Sequence, residues 1–341
     1  MVSSFEDTIS LESRRYIGSK TKLADWIFSV IDEQTKDVQS FCDIFAGTGT
    51  IAKRALNRFS SVIINDFLFS NTIIYNGFFA PGEWDKSKLQ AIVDSYNKLN
   101  PSKIADNYFS INYGGKYFEH GVSKLIGYIR QNIEDIKTDL TPKEYAILLS
   151  SLIYSMDRIA NTIGHYEAYI RKPIALRPLN MRLIDAKAYD TVQIYREDSN
   201  DLVRRIKADI FYVDPPYNSR QYSRFYHLYE TLVHWDNREL SGVAMKPKCE
   251  NMSEYCSSKA VLAFEDLVQH INAKYIVVSY NNTYQSKSSS SMNKISLDEL
   301  LSVLNKKGTT QVFEQAYRFF NAGKTDFSDH KELLFITNVY E

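Results

Sequence analysis

The segment that most restricts how this chain can fold is Asp209-Ile210-Phe211-Tyr212-Val213, which runs without a break into Asp214-Pro215-Pro216-Tyr217. The apolar run reads as a buried strand. Two successive prolines cannot continue it, because they lack N–H donors and fix φ. The chain must leave the sheet at the strand's C-terminal end, the edge at which open α/β sheets bind ligands. The exit presents a carboxylate (Asp214), a free carbonyl (Pro215) and an aromatic ring (Tyr217) at fixed positions, with Pro216 holding the bend. Taken alone, a purely structural Pro-Pro turn accounts for the same residues.

One reaction suits those three groups. The exocyclic amino group of a nucleobase is a poor nucleophile, since its lone pair is delocalised into the ring. A carboxylate and a backbone carbonyl can accept its two hydrogens, pyramidalise the nitrogen and turn the lone pair towards an electrophile. Tyr217 would stack on the base once it is flipped from a duplex.

Upstream, the apolar run Phe41–Phe45 stops at Ala46-Gly47-Thr48-Gly49. A helix from Thr50 to about Arg58 and a second buried strand, Val62–Asn65, follow, ending at Asp66. This order is a βαβ unit, and Gly47–Ala52 fits G-x-G-x-x-A. The glycines let the backbone approach a ligand, the helix N-terminus favours polar or anionic groups, and the acid ending the next strand can accept ribose hydroxyls. NAD, S-adenosylmethionine and a ligand-free turn all remain open on the motif alone. Asp43, just before the turn, favours S-adenosylmethionine, whose ammonium group an acid can meet and NAD lacks. Positioning would then bring the sulfonium methyl in line with the amine.

Periodicity organises the rest. Residues 1–13 read as a loose tail, followed by a helix with Leu23, Trp26, Ile27, Val30 and Ile31 on one face. Residues 81–186 are mainly helical, with a long apolar-periodic stretch from Pro142 to about Ile159. Strands are expected at 191–196, 209–213 and 275–279, and helices at 199–206, 225–235, 259–271 and 296–305. An antiparallel closing pair is expected at 310–320 and 332–340, and a Ser-rich loop at 286–291. The simplest architecture is one Rossmann-like α/β domain built from 14–80 and 187–341, interrupted by a helical insertion at 81–186.

Composition sets limits. Forty-one Lys and Arg balance forty-one Asp and Glu. That excludes a polycation but not a local basic surface for nucleic acid. Three cysteines, Cys42, Cys249 and Cys256, argue against a disulfide framework and for a reducing compartment. The N-terminus has no apolar signal region, and no apolar run approaches the ~18 residues that span a bilayer. A cytoplasmic chain with no membrane contact is expected. The 24 tyrosines are an excess that composition does not explain.

Phe45-Ala46-Gly47-Thr48-Gly49 followed far downstream by Asp214-Pro215-Pro216-Tyr217 resembles the amino-group DNA methyltransferases. Arg15-Tyr16-Ile17-Gly18-Ser19-Lys20 precedes the glycine turn, and the helical insertion precedes the tetrad. That order resembles the alpha group of adenine N-6 DNA methyltransferases, the Dam-like class. Tyr16–Lys20, Asp214–Tyr222 and Ser279-Tyr280-Asn281 look most like the methyltransferases of FokI-type restriction-modification systems. The resemblance implies a class I S-adenosylmethionine-dependent methyltransferase sheet with a target-recognition insertion at 81–186. It implies that Tyr16, Gly18, Ser19 and Lys20 close over the methionine end of the cofactor. Asp43, Phe45, Ala46, Gly47, Thr48 and Gly49 would form its main pocket, Asp66 and Phe67 would meet the ribose, and Asp198 and Ser199 the adenine. Asp214, Pro215, Pro216 and Tyr217 would be catalytic, with Asp214 also bordering the cofactor. Asn65 and Phe67 flank Asp66, so its ribose role is not diagnostic, and Asp201 competes with Asp198.

Between 158 and 187 stand six basic residues, Arg158, Arg171, Lys172, Arg177, Arg182 and Lys187, against two acidic ones, Glu167 and Asp185. Asn161, His165, Tyr166 and Tyr169 are interleaved. Cations with aromatic and amide side chains suit phosphate positioning and base-edge contact, although a solvated face has the same composition. Arg220, Tyr222, Arg224 and Tyr226 follow the tetrad at alternate spacing and are expected to wall the flipped base. The six histidines show no metal or triad spacing, and no metal is expected.

The resulting expectation is transfer of a methyl group from S-adenosylmethionine to adenine N6 in double-stranded DNA. The chain would act as a monomer, alongside a cognate restriction endonuclease. Cytosine N4 or an RNA base would suit the same chemistry. An NAD-dependent oxidoreductase explains the glycine turn but gives Asp214–Tyr217 no role, and an inert DNA-binding module would need neither motif.

Overall fold

The computed structural model describes residues 8–282, 293–316 and 331–340. The Ser-rich segment 286–291 and positions 317–320 of the expected strand lie outside the described residues. Among the described residues nine strands occur in chain order: β1 Ser40–Asp43, β2 Ser61–Asn65, β3 Val192–Tyr195, β4 Ile210–Val213, β5 Leu240–Ser241, β6 Lys246–Pro247, β7 Tyr275–Asn281, β8 Gly308–Ala316 and β9 Lys331–Val339. The chain forms two compact units. One comprises 19–67, 191–222 and 251–341, and the other 1–18, 68–190 and 223–250.

The first unit holds a seven-stranded sheet ordered β3-β2-β1-β4-β7-β9-β8. The first five are parallel, and β9 runs antiparallel to both β7 and β8. Counted along the sheet's own seven strands the order is 3-2-1-4-5-7-6, the Rossmann-like arrangement expected from the sequence, with its antiparallel closing pair. The central strands carry no polar alternation: Ile210–Val213 are all buried, as parallel strands covered on both faces require. Helix Ala260–His270 lays Ala263, Phe264 and Leu267 into a core shared with Phe211, Val213, Ile276, Val278 and Phe335. Asp209 anchors the entry to β4. Its carboxylate accepts the N–H groups of Gln39 and Ser40 and the Ser40 hydroxyl. These bonds, with the Lys274 ammonium, outweigh the opposing effect of burial and hold its pKa down at about 2.

The second unit is mainly helical, with the two-residue ribbon of β5 and β6. Helices Phe69–Phe79 and Pro142–Asp157 pack so closely that a Cβ on Gly77 would lie 2.7 Å from Ser150 Oγ and 2.9 Å from the Ala146 carbonyl. Glu230, on helix His227–His234, accepts the Phe69 and Ser70 N–H groups and so caps the first of these helices. The second opens on a Thr141/Glu144 capping box with Pro142 at its first turn. The units cut the chain at different points from the sequence reading. Residues 8–13, expected to be part of a loose tail, are instead tied in, with Ile9 and Leu11 buried and the Ile9 N–H donating to the Leu183 carbonyl; segments 8–18, 68–80 and 223–250 thus join the helices of 81–186. The single helix expected at 225–235 is two pieces, Tyr222–Phe225 and His227–His234, interrupted at Tyr226.

Candidate active site

The glycine turn lies between β1 and helix Thr50–Leu56. Gly47 and Gly49 have φ of 53° and 76°, left-handed values that side chains with a Cβ rarely adopt. The Gly47 N–H donates to Asp66 Oδ2 at 2.8 Å, so the acid ending β2 braces the turn. Asn65 bridges two turns, donating to the Ile44 and Glu197 carbonyls and accepting the Glu197 N–H. Phe45 packs edge-on against Tyr255 at 5.1 Å. Ser199 is buried, while Asp198 is exposed and caps its short helix by accepting the Asn200 N–H. The Phe67 carbonyl accepts from Asn251. Thr48 and Thr50 share a hydroxyl contact of 2.9 Å.

Asp43 ends β1 and is 1% exposed, its carboxylate approached by the Phe45 and Ala52 N–H groups but without a well-aligned hydrogen bond among the described residues. Burial, with Asp214 and Asp66 nearby, pushes its pKa well up. A buried carboxylate with only weak N–H partners and acids beside it costs free energy until a cationic donor meets it. The donor set therefore fits a ligand that brings an ammonium group and ribose hydroxyls to one turn, as S-adenosylmethionine does.

The tetrad follows β4, as its prolines require. The Tyr217 carbonyl accepts from Lys294, and its ring meets Tyr280 edge-on at 5.7 Å. No hydrogen bond among the described residues uses the Pro215 carbonyl. Lys20 Nζ lies 3.1 Å from Asp214 Oδ1 and 2.6 Å from Glu332 Oε1. The Glu332 oxygen also accepts from Ser279 at 2.7 Å. Burial raises the Asp214 pKa to about 6 against the opposing pull of Lys20. The Lys20 ammonium is held charged by its two carboxylates despite its own burial. Lys20, expected at the cofactor, pairs here with Asp214 and with Glu332, an acid absent from the expected site residues. The only signal for Glu332 is an acid directly before the apolar run Leu333-Leu334-Phe335, and its partner depends on strand register.

The other candidates divide. Ser19 and Lys20 belong to the sheet-bearing unit, Tyr16 and Gly18 to the helical one. There Tyr16 stacks on Tyr226 at 4.4 Å, and the Tyr226 hydroxyl accepts the Ile17 N–H. Tyr226 is thus a buried core ring, not part of a base-flanking wall. Tyr166 also needs correction as a DNA contact. It is 1% exposed and its hydroxyl donates to the buried Asp157 carboxylate. Asn161 spends its amide on the Lys116 and Ile170 carbonyls, which shapes a loop. His165 meets Phe225 edge-on, and Tyr169 meets Tyr117. Arg158, Arg171 and Lys172 are exposed, with no ion pair among the described residues. Arg224 is exposed and approaches Cys249 Sγ, while Arg220 and Tyr222 are partly exposed. Among the described residues one trio, Glu230, His234 and Glu250, brings potential metal-ligand atoms within 4.8 Å of one another, a proximity that the sequence spacing did not show. The Glu230 oxygens there already serve as a helix cap.

A seven-stranded sheet in this order, with a glycine turn after β1 and a carboxylate-bearing proline turn after β4, is the architecture of a class I methyltransferase. The chain belongs to the D12 class N6 adenine-specific DNA methyltransferases, whose family model matches residues 16–295. It is 30% identical over 328 residues to the type II methyltransferase M.NlaIII of Neisseria lactamica, covering 93% of this chain and 95% of that one. Similarity to the type II methyltransferase M.CviAII of Paramecium bursaria Chlorella virus 1 is also 30%, over 95% and 98% of the two chains. The type II methyltransferase M.FokI of Planomicrobium okeanokoites is 31% identical, with 94% of this chain matching 52% of that protein. The expected kinship with FokI-type methyltransferases is therefore found.

Proposed function

We propose that the protein methylates adenine N6 at specific sites in double-stranded DNA, as the modification component of a restriction-modification system. The observation that carries this reading is Asp214 at the end of β4, next to the Pro215 carbonyl and the Tyr217 ring. S-adenosylmethionine supplies an electrophilic methyl group when bound. Asp43 is suited to meet its ammonium, Asp66 its ribose, and the Gly47–Gly49 backbone its close approach, with Asp198 and Ser199 at the adenine end and Ser19 towards the methionine end. Asp214 and the Pro215 carbonyl accept the two hydrogens of the target amine, which turns its lone pair outward, and Tyr217 stacks on the flipped base. The Asp214 carboxylate must be ionised to do this, so activity falls as pH drops through about 6.

For DNA binding, we assign phosphate contact to the exposed cations Arg158, Arg171 and Lys172 in the helical unit and to Arg220. No helix among the described residues is long and apolar enough to cross a membrane. The test is transfer of labelled methyl to duplex DNA followed by nucleoside analysis. N6-methyladenine supports the reading, and N4-methylcytosine or no transfer overturns it.

A further inference from the structure

We infer that Glu332 is a positioning residue for methyl transfer: it takes the stronger hydrogen bond of the Lys20 ammonium and so limits how far Lys20 occupies Asp214, leaving that carboxylate able to accept a hydrogen of the target amine. The inference rests on the proposed amine-directed chemistry.

Three charged groups share one buried place. Lys20 donates its shorter hydrogen bond, 2.6 Å, to Glu332 and stands 3.1 Å from Asp214 Oδ1, a weaker and poorly aligned contact that still lowers the Asp214 pKa. The Lys20, Glu332 and Asp214 side chains are 6%, 6% and 16% exposed, so water does not screen the competition. Ser279 on β7 fixes the Glu332 oxygen from a second side. The pairing of β7 with β9 sets Asn281 opposite Glu332 and so brings this acid to the tetrad. A lysine aligned on Asp214 would occupy the acceptor that the substrate amine needs. A lysine absent from its vicinity would leave a buried acid nearer to protonation. Glu332 balances the two.

Burial, Lys20 from the segment before the first helix and Glu332 from β9 set the Asp214 pKa, and Asp214 in turn acts on Tyr212 of β4, Tyr217 of the tetrad and Asp43 of β1. Glu332 raises the Asp214 pKa and Lys20 lowers it. Removing the Glu332 charge while keeping its shape lets Lys20 align on Asp214. In Glu332→Gln, the acid limb of kcat/KM should therefore move down by about half a pH unit or more. The plateau kcat should fall about tenfold for the blocked acceptor, with the KM for S-adenosylmethionine unchanged. A merely structural loss would lower activity at every pH without moving the limb. If the Gln variant does not accumulate folded protein, Glu332→Asp decides. Its carboxylate is drawn back by one methylene and should give the same shift at smaller amplitude. A limb that stays at the wild-type pH in the folded variant overturns the inference. Wild type that methylates no DNA overturns the parent reading instead, and methylating wild type with an unmoved limb overturns this inference alone.

Discussion

Replacing Asp214 by Asn should abolish methyl transfer while making the folded protein more stable above neutral pH. The carboxyl's ordinary pKa is 3.8, and in the fold it is raised to about 6, first by burial and then by Glu332, against the pull of Lys20. A raised acid pKa means that the folded state binds more protons than the unfolded chain between those values. Stability contributed by the protonated group is therefore present at low pH and declines as pH climbs through the window. Roughly two pH units correspond to about 3 kcal/mol at pH 8, and about half of that at pH 5. Asn mimics the protonated acid and escapes the penalty, while Lys20 keeps Glu332 at 2.6 Å. A net gain of about 2–3 kcal/mol in a chain of this length raises Tm by about 3–4 °C. Differential scanning calorimetry at pH 8 and pH 5 reads the effect as a gain that shrinks on acidification. An Asn variant no more stable than wild type at pH 8, or a gain independent of pH, refutes the account of a desolvated catalytic carboxylate.

Other perturbations separate cofactor, DNA and packing. Asp43→Asn should weaken S-adenosylhomocysteine binding by about tenfold or more in calorimetric titration, because it removes the charge that answers the ligand's ammonium, while leaving the apo protein at least as stable. Arg171→Ala with Lys172→Ala should raise the KM for DNA and reduce the slope of log affinity against log salt by about 2, with cofactor binding unchanged. Gly77→Ala should cost about 1–3 kcal/mol in a thermal melt, since the added methyl meets the Ser150 hydroxyl and the Ala146 carbonyl inside 3 Å, yet folded protein should retain its kcat.

Much of the sheet-bearing unit was legible in the sequence, because its signals are local. The Pro215-Pro216 break, the Gly47–Gly49 turn and the continuous apolar runs of β1, β2 and β4 each follow from backbone constraints read over a few residues. Asp43 was legible for the same reason, as an acid inside a buried strand just before a turn. The Lys20–Asp214–Glu332 group was not, since it joins residues more than three hundred positions apart through the register of β7 on β9. The aromatic residues misled in the other direction. Tyr166 and Tyr226 stand among basic residues in sequence, but their hydroxyls found buried partners, Asp157 and the Ile17 N–H, and a tyrosine with its polar end satisfied is a core residue. Nine tyrosines, among them Tyr75, Tyr113, Tyr117, Tyr154 and Tyr229, rank with the largest fully buried side chains. The tyrosine excess is therefore spent largely on packing. Alternate spacing at Arg220–Tyr226 suggested an extended wall, yet a helical turn at Tyr222–Phe225 breaks that alternation.

The central claim, that Asp214 at the end of β4 directs methyl transfer to adenine N6, is tested most directly by one assay. Wild type and Asp214→Asn are incubated with duplex DNA and labelled S-adenosylmethionine across pH 5–9, and the modified nucleosides are identified by mass. The account predicts N6-methyladenine from wild type, with an acid limb near pH 6, and none from the Asn variant. Equal methylation by the two proteins, or label in any nucleoside other than N6-methyladenine, would contradict it.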